Sequence, residues 1–149
     1  MAMITRSMIV KADVDKIYTY WSNFENFPTF MENIKSVRKT GDRSSHWEME
    51  GPLGTTVKWD AETTVMENNK RIAWSTKDNE GDVTTSGQVT FNPLPNNQTE
   101  ITVMLHYEPN KGLAGDVVEK LFSNPEKQLE KDLANFKNYI EGRHERSNL

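Results

Sequence analysis

Large apolar and polar side chains alternate through most of residues 34–108, and this alternation constrains the fold more than any other feature of the chain. A period of two residues is typical of strands in an antiparallel sheet with one buried and one wet face. The stretch at roughly 113–141 is the part of the sequence that can then cover the buried face. Since a curved sheet around one helix tends to leave a hollow, the pattern favours a small-molecule cavity. The apolar positions are Trp47/Met49, Val57/Trp59/Ala61, Ile72/Trp74, Val89/Phe91 and Ile101/Val103/Leu105/Tyr107.

Short clusters of turn-forming residues divide this region into about six strands, and residues 3–11 predict a seventh. Pro93 and Pro95 are expected in a connection, where a missing backbone N–H costs nothing. No internal repeat or linker interrupts the chain, so we expect one domain over residues 1–149. The clusters are Gly41-Asp42, Gly51 to Gly54, Asn68-Asn69, Asp78 to Asp82 and Asn92 to Asn97.

Two short helices are expected between the first two strands. Val14, Ile17, Tyr18 and Trp21 fall at i, i+3, i+4 and i+7, which predicts one helical stripe after an N-cap at Asp13. A second helix is predicted from Phe27 to Glu32, because Pro28 is tolerated in a first turn. The apolar side chains there would plug one end of the sheet: Phe24, Phe27, Phe30 and Met31.

The C-terminal helical region contains a predicted restart. Ser123-Asn124-Pro125-Glu126 matches a capping box, and proline deep within a helix would cost about 3 kcal/mol. We therefore expect a separate shorter helix from Gly112 to Phe122, able to act as an adjustable lid. The longer helix after it is expected to end at Gly142, with residues 143–149 as a frayed tail. Its buried stripe is Leu129, Leu133, Phe136 and Ile140.

The composition limits the classes of partner and compartment. A formal charge of −4 argues against a nucleic-acid partner, because binding to phosphates needs a basic face. The chain has no cysteine, which is compatible with a reducing cytoplasm, and no apolar run near the ~20 residues of a transmembrane span. We expect a cytoplasmic protein. One small basic group is interpreted as a solvated edge strand: Lys35, Arg38, Lys39 and Arg43.

The sequence contains no motif for catalysis or metal binding. The three histidines (His46, His106 and His144) lack the spacing of metal ligands, and the first two are expected to face solvent. No nucleophile motif or phosphate loop is present. We therefore expect no metal, no cofactor and no catalytic set. The nearby carboxylates fall out of phase with the tryptophans and predict a charged outer face: Glu48, Glu50, Asp60 and Glu62.

The inner aromatic positions are the candidate binding surface for a small hydrophobic molecule. Flat apolar side chains with a few polar tips are how such ligands are held. Tyr107 is the weak candidate for moving protons, if any reaction occurs. Arg71 is the cation that we consider for an anionic ligand group, although its phase predicts that it points outward. The predicted ligand-binding residues are Trp47, Met49, Trp59, Trp74, Phe91, Leu105, Tyr107, Phe122 and Leu129.

The ordered motifs of the chain resemble a known family. They are similar to the polyketide cyclase/dehydrase group of the START-like (SRPBCC) superfamily, and within it to a bacterial subgroup. The resemblance spans nearly the whole chain, and the ordered set is more specific than any one motif. The motifs are Phe24-Glu25-Asn26-Phe27-Pro28-Thr29-Phe30-Met31, Trp59-Asp60-Ala61-Glu62, Arg71-Ile72-Ala73-Trp74-Ser75, Tyr107-Glu108-Pro109, Leu121-Phe122, Pro125-Glu126, Asp132-Leu133 and Phe136-Lys137.

The resemblance implies an α+β helix-grip fold. In that fold a seven-stranded antiparallel sheet wraps around a long C-terminal helix, with two short helices after strand 1. It also implies a deep cavity for lipids, sterols, quinones, hormones or polyketides, but it carries over no catalytic residue. Three functions stay open from the sequence. The first is binding or carriage of a hydrophobic ligand, the second is a cyclase or dehydratase that uses the same cavity, and the third is an interaction module with a filled cavity.

Overall fold

The computed structural model describes residues 2–50, 56–76, 83–109 and 125–147. Within these ranges it contains seven strands, two α-helices and one 3-10 helix. The strands are β1 (Ala2–Val10), β2 (Ile34–Lys39), β3 (Ser44–Glu50), β4 (Thr56–Glu67), β5 (Arg71–Thr76), β6 (Val83–Leu94) and β7 (Gln98–Pro109). The helices are α1 (Val14–Ser22), the 3-10 helix (Phe24–Thr29) and α2 (Pro125–Ser147).

The strands form one antiparallel sheet in the order β1-β7-β6-β5-β4-β3-β2, which confirms the predicted sheet and its seven strands. Strands β2 to β7 follow one another as hairpins, whereas β1 pairs with β7 at the far edge. The segment with α1 and the 3-10 helix therefore connects the two edges of the sheet. Strand β2 is an edge strand with exposed Lys35, Arg38 and Lys39, as the basic group indicated.

The predicted two-residue alternation produces a sheet with a buried inner face. The buried positions of β4 continue on its neighbours, because Trp47 pairs with Trp59 and Ile72 pairs with Val89. The carboxylates predicted for the outer face lie there, away from the core. Along β4 the two sets alternate: Val57, Trp59, Ala61 and Thr63 are buried, and Lys58, Asp60, Glu62 and Thr64 are exposed.

The two short helices follow strand 1 as expected, but their capping differs from the prediction. Helix α1 begins after Asp13, yet the Asp13 side chain makes no capping hydrogen bond. The second helix is a 3-10 helix at Phe24–Thr29, so the expected range of Phe27 to Glu32 is wrong. It begins earlier because the Asn23 side chain accepts a hydrogen bond from the Glu25 backbone N–H at 3.3 Å. A cap at that position starts the first turn three residues before Phe27.

Pro93 lies within β6 and not in a connection, which corrects the prediction for this residue. Its strand partner is Thr99, and the turn between β6 and β7 is confined to residues 95–97. Two residues earlier, the Phe91 backbone N–H donates to the Lys70 carbonyl, just before β5 begins. Because N–H directions alternate along a strand, the Pro93 nitrogen faces the side beyond the start of β5. No ladder hydrogen bond is lost there, so the strand tolerates proline.

The described part of helix α2 begins at Pro125, whereas the predicted restart at Ser123 lies outside the described residues, and the helix does not end at Gly142. It continues to Ser147, so most of the expected frayed tail is helical. A glycine costs a helix only about 1 kcal/mol. The helical turn before Gly142 is held in place, because Ile140 is buried and the Lys11 backbone N–H donates to the Glu141 carboxylate at 3.0 Å. The predicted helix and lid at Gly112 to Phe122 lie outside the described residues.

Helix α2 packs its apolar stripe against the inner face of the sheet. Its polar side is tied to β1, because Arg6 pairs with Glu126 at 2.7 Å and with Glu130 at 2.9 Å. The Lys137 ammonium donates to the Ile9 carbonyl at 3.0 Å. None of the described helices is both long and apolar enough to cross a membrane. The buried residues of the stripe are those predicted: Leu129, Leu133, Phe136 and Ile140.

Candidate ligand cavity

A cavity of about 150 Å³ lies between the inner face of the sheet and α2. Its described walls are mainly apolar, and all four tryptophans of the chain contribute to them. The apolar lining residues are Ile4, Trp21, Phe27, Met31, Ile34, Trp47, Met49, Trp59, Trp74, Val83, Val103, Leu105 and Leu129. The polar lining residues are Asn33, Thr85, Gln128 and Asp132.

Strand register positions the tryptophan wall. Trp47 and Trp59 are directly opposite each other on β3 and β4, and their rings stack with centroids 5.9 Å apart at 14°. Trp74 on β5 lies opposite Gly87 on β6. A Cβ atom at Gly87 would approach the Trp74 ring to 2.9 Å and the Met104 carbonyl oxygen to 2.5 Å. The missing side chain at Gly87 therefore lets the Trp74 ring occupy its position in the wall.

An aromatic cluster from α1, the 3-10 helix and α2 packs beside the cavity, and three of the predicted residues or their neighbours line it: Trp21, Phe27 and Met31. Trp21 of α1 packs edge-on against Phe27 and against Phe136 of α2, with ring centroids 5.2 Å and 5.3 Å apart, respectively. Phe24 and Phe30 are buried beside them, and Met31 lines the cavity. The Trp21 indole N–H is buried and has no hydrogen-bond partner among the described residues. A buried unpaired donor is unfavourable by about 1–3 kcal/mol, so Trp21 offers an unused donor.

Three polar side chains lie together at one corner of the cavity lining, which we call the polar corner (Asn33, Gln128 and Asp132). The Gln128 side-chain amide donates to the Asp132 carboxylate at 3.0 Å. The same carboxylate accepts a hydrogen bond from the backbone N–H of Glu32, which precedes Asn33. These bonds bring α2 and the segment before β2 together at the cavity.

Burial raises the pKa of Asp132 from its usual 3.8 to about 6. The nearby negative charge of Glu32 acts in the same direction. The hydrogen bonds from Gln128 and from the Glu32 backbone, and the charge of Lys131, act against it. Asp132 thus combines a desolvated carboxylate with a position on the cavity wall.

Asp132 did not emerge from the sequence as a site residue; only its place in a family motif singled it out. Its position could have been found from the helical period, because Gln128 and Asp132 are one turn apart beside the Leu129 and Leu133 stripe. What the sequence could not supply is the desolvation. That depends on the chain at Glu32 folding over the side of α2.

Most of the predicted ligand-binding residues meet at this cavity. Phe91 does not line it: it is buried where α1 covers the sheet, edge-on to Tyr18 with ring centroids 5.4 Å apart. Phe122 lies outside the described residues, and so does the side chain of Tyr107. The predicted residues that line the cavity are Trp47, Met49, Trp59, Trp74, Leu105 and Leu129.

The other polar candidates lie away from the cavity. His46 is on the outer face, where its ring contacts Asp60 at 2.9 Å and Glu48 at 3.2 Å. Arg71 is partly exposed and pairs with Glu67 at 2.8 Å, so it does not reach the cavity. In the described ranges, no group of three or more histidine, aspartate and glutamate side chains is arranged to hold a metal ion.

Comparisons with known proteins agree with this architecture. Residues 10–134 match the family described as polyketide cyclase/dehydrase and lipid transport. An uncharacterised 17.2 kDa protein of Streptomyces lincolnensis is 30% identical over 143 residues, covering 96% of this chain and 92% of that protein. A crystal structure from Deinococcus radiodurans has a TM-score of 0.76 at 31% identity, over 95% of this chain and 98% of the other.

The Zhui aromatase/cyclase of a Streptomyces species has a TM-score of 0.73 over 95% of this chain and 94% of its own. Its identity is 15%, so this likeness concerns the fold alone. The family match, by contrast, covers most of the chain, including the tryptophan strands and the start of α2. The chain therefore belongs to the polyketide cyclase/dehydrase and lipid transport family and has a helix-grip fold, in which a seven-stranded antiparallel sheet packs against a long C-terminal helix.

Proposed function

We propose that this protein binds or carries a small hydrophobic ligand in the cavity between the sheet and α2. The observation that carries the proposal is the cavity itself, about 150 Å³ in volume and walled by all four tryptophans of the chain. Concave sites lined by aromatic side chains with a few polar groups are the usual form of small-molecule sites. Membership of a family described by lipid transport supports the same role.

A cyclase or dehydratase in the same cavity is the second candidate. The family description and the aromatase/cyclase of similar fold support it. Asp132 would be its acid–base residue, because a carboxyl group with a pKa of about 6 works well near neutral pH. The size of the cavity favours the carrier, however. A void of about 150 Å³ holds roughly one benzene-sized ring, whereas a cyclase would have to fold a longer chain in the same space.

An interaction module with a filled interior is disfavoured. That hypothesis predicts that the protein's own side chains occupy the space between sheet and helix. The cavity between Trp47, Trp59 and α2 is instead an open volume. We therefore direct the experiments at small molecules.

The test is binding of toluene, p-cresol and short-chain fatty alcohols, measured by isothermal titration and by amide chemical shifts. We expect at least one probe to bind the wild-type protein with a stoichiometry of one. Leu105→Phe adds volume at a half-buried lining position and should weaken binding by about tenfold or more. The matched control is Met66→Phe, a similar enlargement at an exposed position on β4.

The carrier proposal fails if no probe binds and if gently purified protein carries no small molecule in native mass spectrometry. The enzymatic candidate is tested separately with a poly-ketone mimic. Turnover that disappears in Asp132→Asn would favour it over simple carriage. Binding without turnover across a substrate panel would favour the carrier.

A further inference from the structure

The polar corner makes one part of the cavity lining more polar than the rest. Among the described lining residues, Asn33, Gln128 and Asp132 are the polar side chains that cluster, whereas Thr85 lies on β6 and donates to the His106 carbonyl at 3.1 Å. The remaining described walls are apolar apart from the Trp21 indole N–H, which is buried and has no partner among the described residues. A ligand in this space therefore meets hydrogen-bonding groups at one end and hydrocarbon or indole surface elsewhere.

Asp132 has hydrogen-bonding capacity left over. An ionised carboxylate accepts about four hydrogen bonds. Two are accounted for, one from the Gln128 amide at 3.0 Å and one from the Glu32 backbone N–H. Lys131, the neighbouring cation on α2, is paired with Glu32 at 2.9 Å and does not line the cavity. The carboxylate thus faces a partly desolvated space without a cation beside it in the described lining.

The residue types of the lining disfavour a charged head group on the ligand. A carboxylate ligand would place a second negative charge beside Asp132, with no lysine, arginine or histidine in the described lining to balance it. An ammonium group carries three donors. Asp132 and the tryptophan faces would attract its charge, but an ammonium group is strongly hydrated and would have to leave water for a mainly apolar space. A hydroxyl group has one donor and lone pairs that the Asn33 amide can match.

We propose that the ligand is a compact apolar molecule of about one ring that carries a hydroxyl group, a phenol in chemical class, and that its O–H donates to the Asp132 carboxylate. This inference rests on the proposed ligand-binding function and adds the class of ligand and the residue that selects it. The tryptophan wall holds the ring, and the polar corner fixes its orientation. Asp132 is then a specificity-determining residue.

The test is a probe series of constant size, measured by isothermal titration with the full-length protein near neutral pH. The probes are p-cresol, toluene, 4-methylanisole, 4-methylbenzoate and 4-methylbenzylamine. We expect p-cresol to bind about tenfold or more tightly than toluene and 4-methylanisole, because hydrogen bonds to charged groups are the stronger ones. We expect 4-methylbenzoate not to bind.

Variants then test whether Asp132 causes the preference for p-cresol over toluene. Asp132→Leu should keep toluene binding while reducing the preference for p-cresol to within about twofold. Asp132→Asn, which keeps an acceptor without the charge, should lie between it and the wild type. The matched control is Asn138→Leu, an exposed position on the same helix, and it should leave the preference unchanged.

The outcomes separate the two proposals. Toluene binding without a preference for p-cresol, or a preference that survives in Asp132→Leu, overturns the phenol inference and leaves the carrier intact. Tighter binding of the amine or of the benzoate also overturns it. Failure of every probe to bind overturns the phenol inference, and the carrier falls with it only if the fatty alcohols also fail to bind and native mass spectrometry finds no small molecule. The wild-type series needs no variant to fold, so it is decisive even where Asp132→Leu is unstable.

Discussion

One carboxylate, that of Asp132, differs from the other residues that line the cavity because burial raises its pKa. Asp132 lies with Gln128 beside the apolar stripe of α2, where its ionised form is desolvated at the cavity wall. Such a group is tolerated because Gln128 and the Glu32 backbone donate hydrogen bonds to it. The cost of keeping the charge there is expected to reduce stability, which makes it measurable by titration.

We predict that the stability of the protein contains a pH-dependent term from Asp132. Its pKa is about 6 in the folded protein and about 3.8 when unfolded, so the folded state binds the proton more tightly. The term is therefore absent below about pH 4, grows as the pH rises to about 6, and is fully unfavourable above that. The full change is up to about 3 kcal/mol.

The measurement is urea unfolding, followed by far-UV circular dichroism, of the wild type and Asp132→Asn near pH 4 and near pH 7.5. Relative to the wild type, the variant should gain stability as the pH rises. Asp42→Asn, at an exposed turn position, is the control. A difference between wild type and Asp132→Asn that stays constant with pH would contradict the prediction.

Gly87 is a second residue at which a small substitution is expected to change stability. We predict that Gly87→Ala lowers the free energy of unfolding by about 1–3 kcal/mol. The new methyl group would meet the Met104 carbonyl oxygen, the Trp74 ring and the Leu105 side chain at 2.5, 2.9 and 3.1 Å, respectively. Two of these residues line the cavity, so ligand binding should weaken as well. Unchanged stability in urea would show that the β6–β7 backbone can move aside.

At the scale of elements, the period of each segment was predictable, whereas the ends of the segments were not. The alternation along β4 and the stripe on α2 depend on each residue's own side of its element, which sequence spacing records. The end of α2 and the start of the 3-10 helix depend on partners such as Lys11 and Asn23. Those contacts form only after the elements meet.

We predict that Gly142→Ala raises the free energy of unfolding by about 0.5–1 kcal/mol. Gly142 lies within α2, and a Cβ atom there would have no heavy atom within 4 Å. Alanine loses less backbone freedom on folding than glycine, so the helix should become more stable. The midpoint of thermal unfolding reports the change. A loss of stability would indicate that the helix ends before this residue in solution, as its glycine suggested.

For the whole molecule, the sequence predicted a cavity between the sheet and the C-terminal helix. The structure gives the volume of that cavity and the polar corner in its wall. The tryptophan strands were predictable because their side chains follow the sheet period. The cavity volume was not, since it depends on how closely α2 approaches strands that are far from it in sequence. Phe91 illustrates the difference: it is in phase with the wall, yet α1 and Tyr18 cover it.

All four tryptophans of this chain border the same cavity, so the protein has a built-in optical reporter. Its ultraviolet emission originates beside the space where a ligand would sit, without a distant indole to dilute the signal. A molecule that enters should change the intensity or the wavelength of that emission, and a spectator at the surface should not. Unlabelled protein in a cuvette is therefore enough to screen compound libraries and to follow the rate at which the cavity fills and empties.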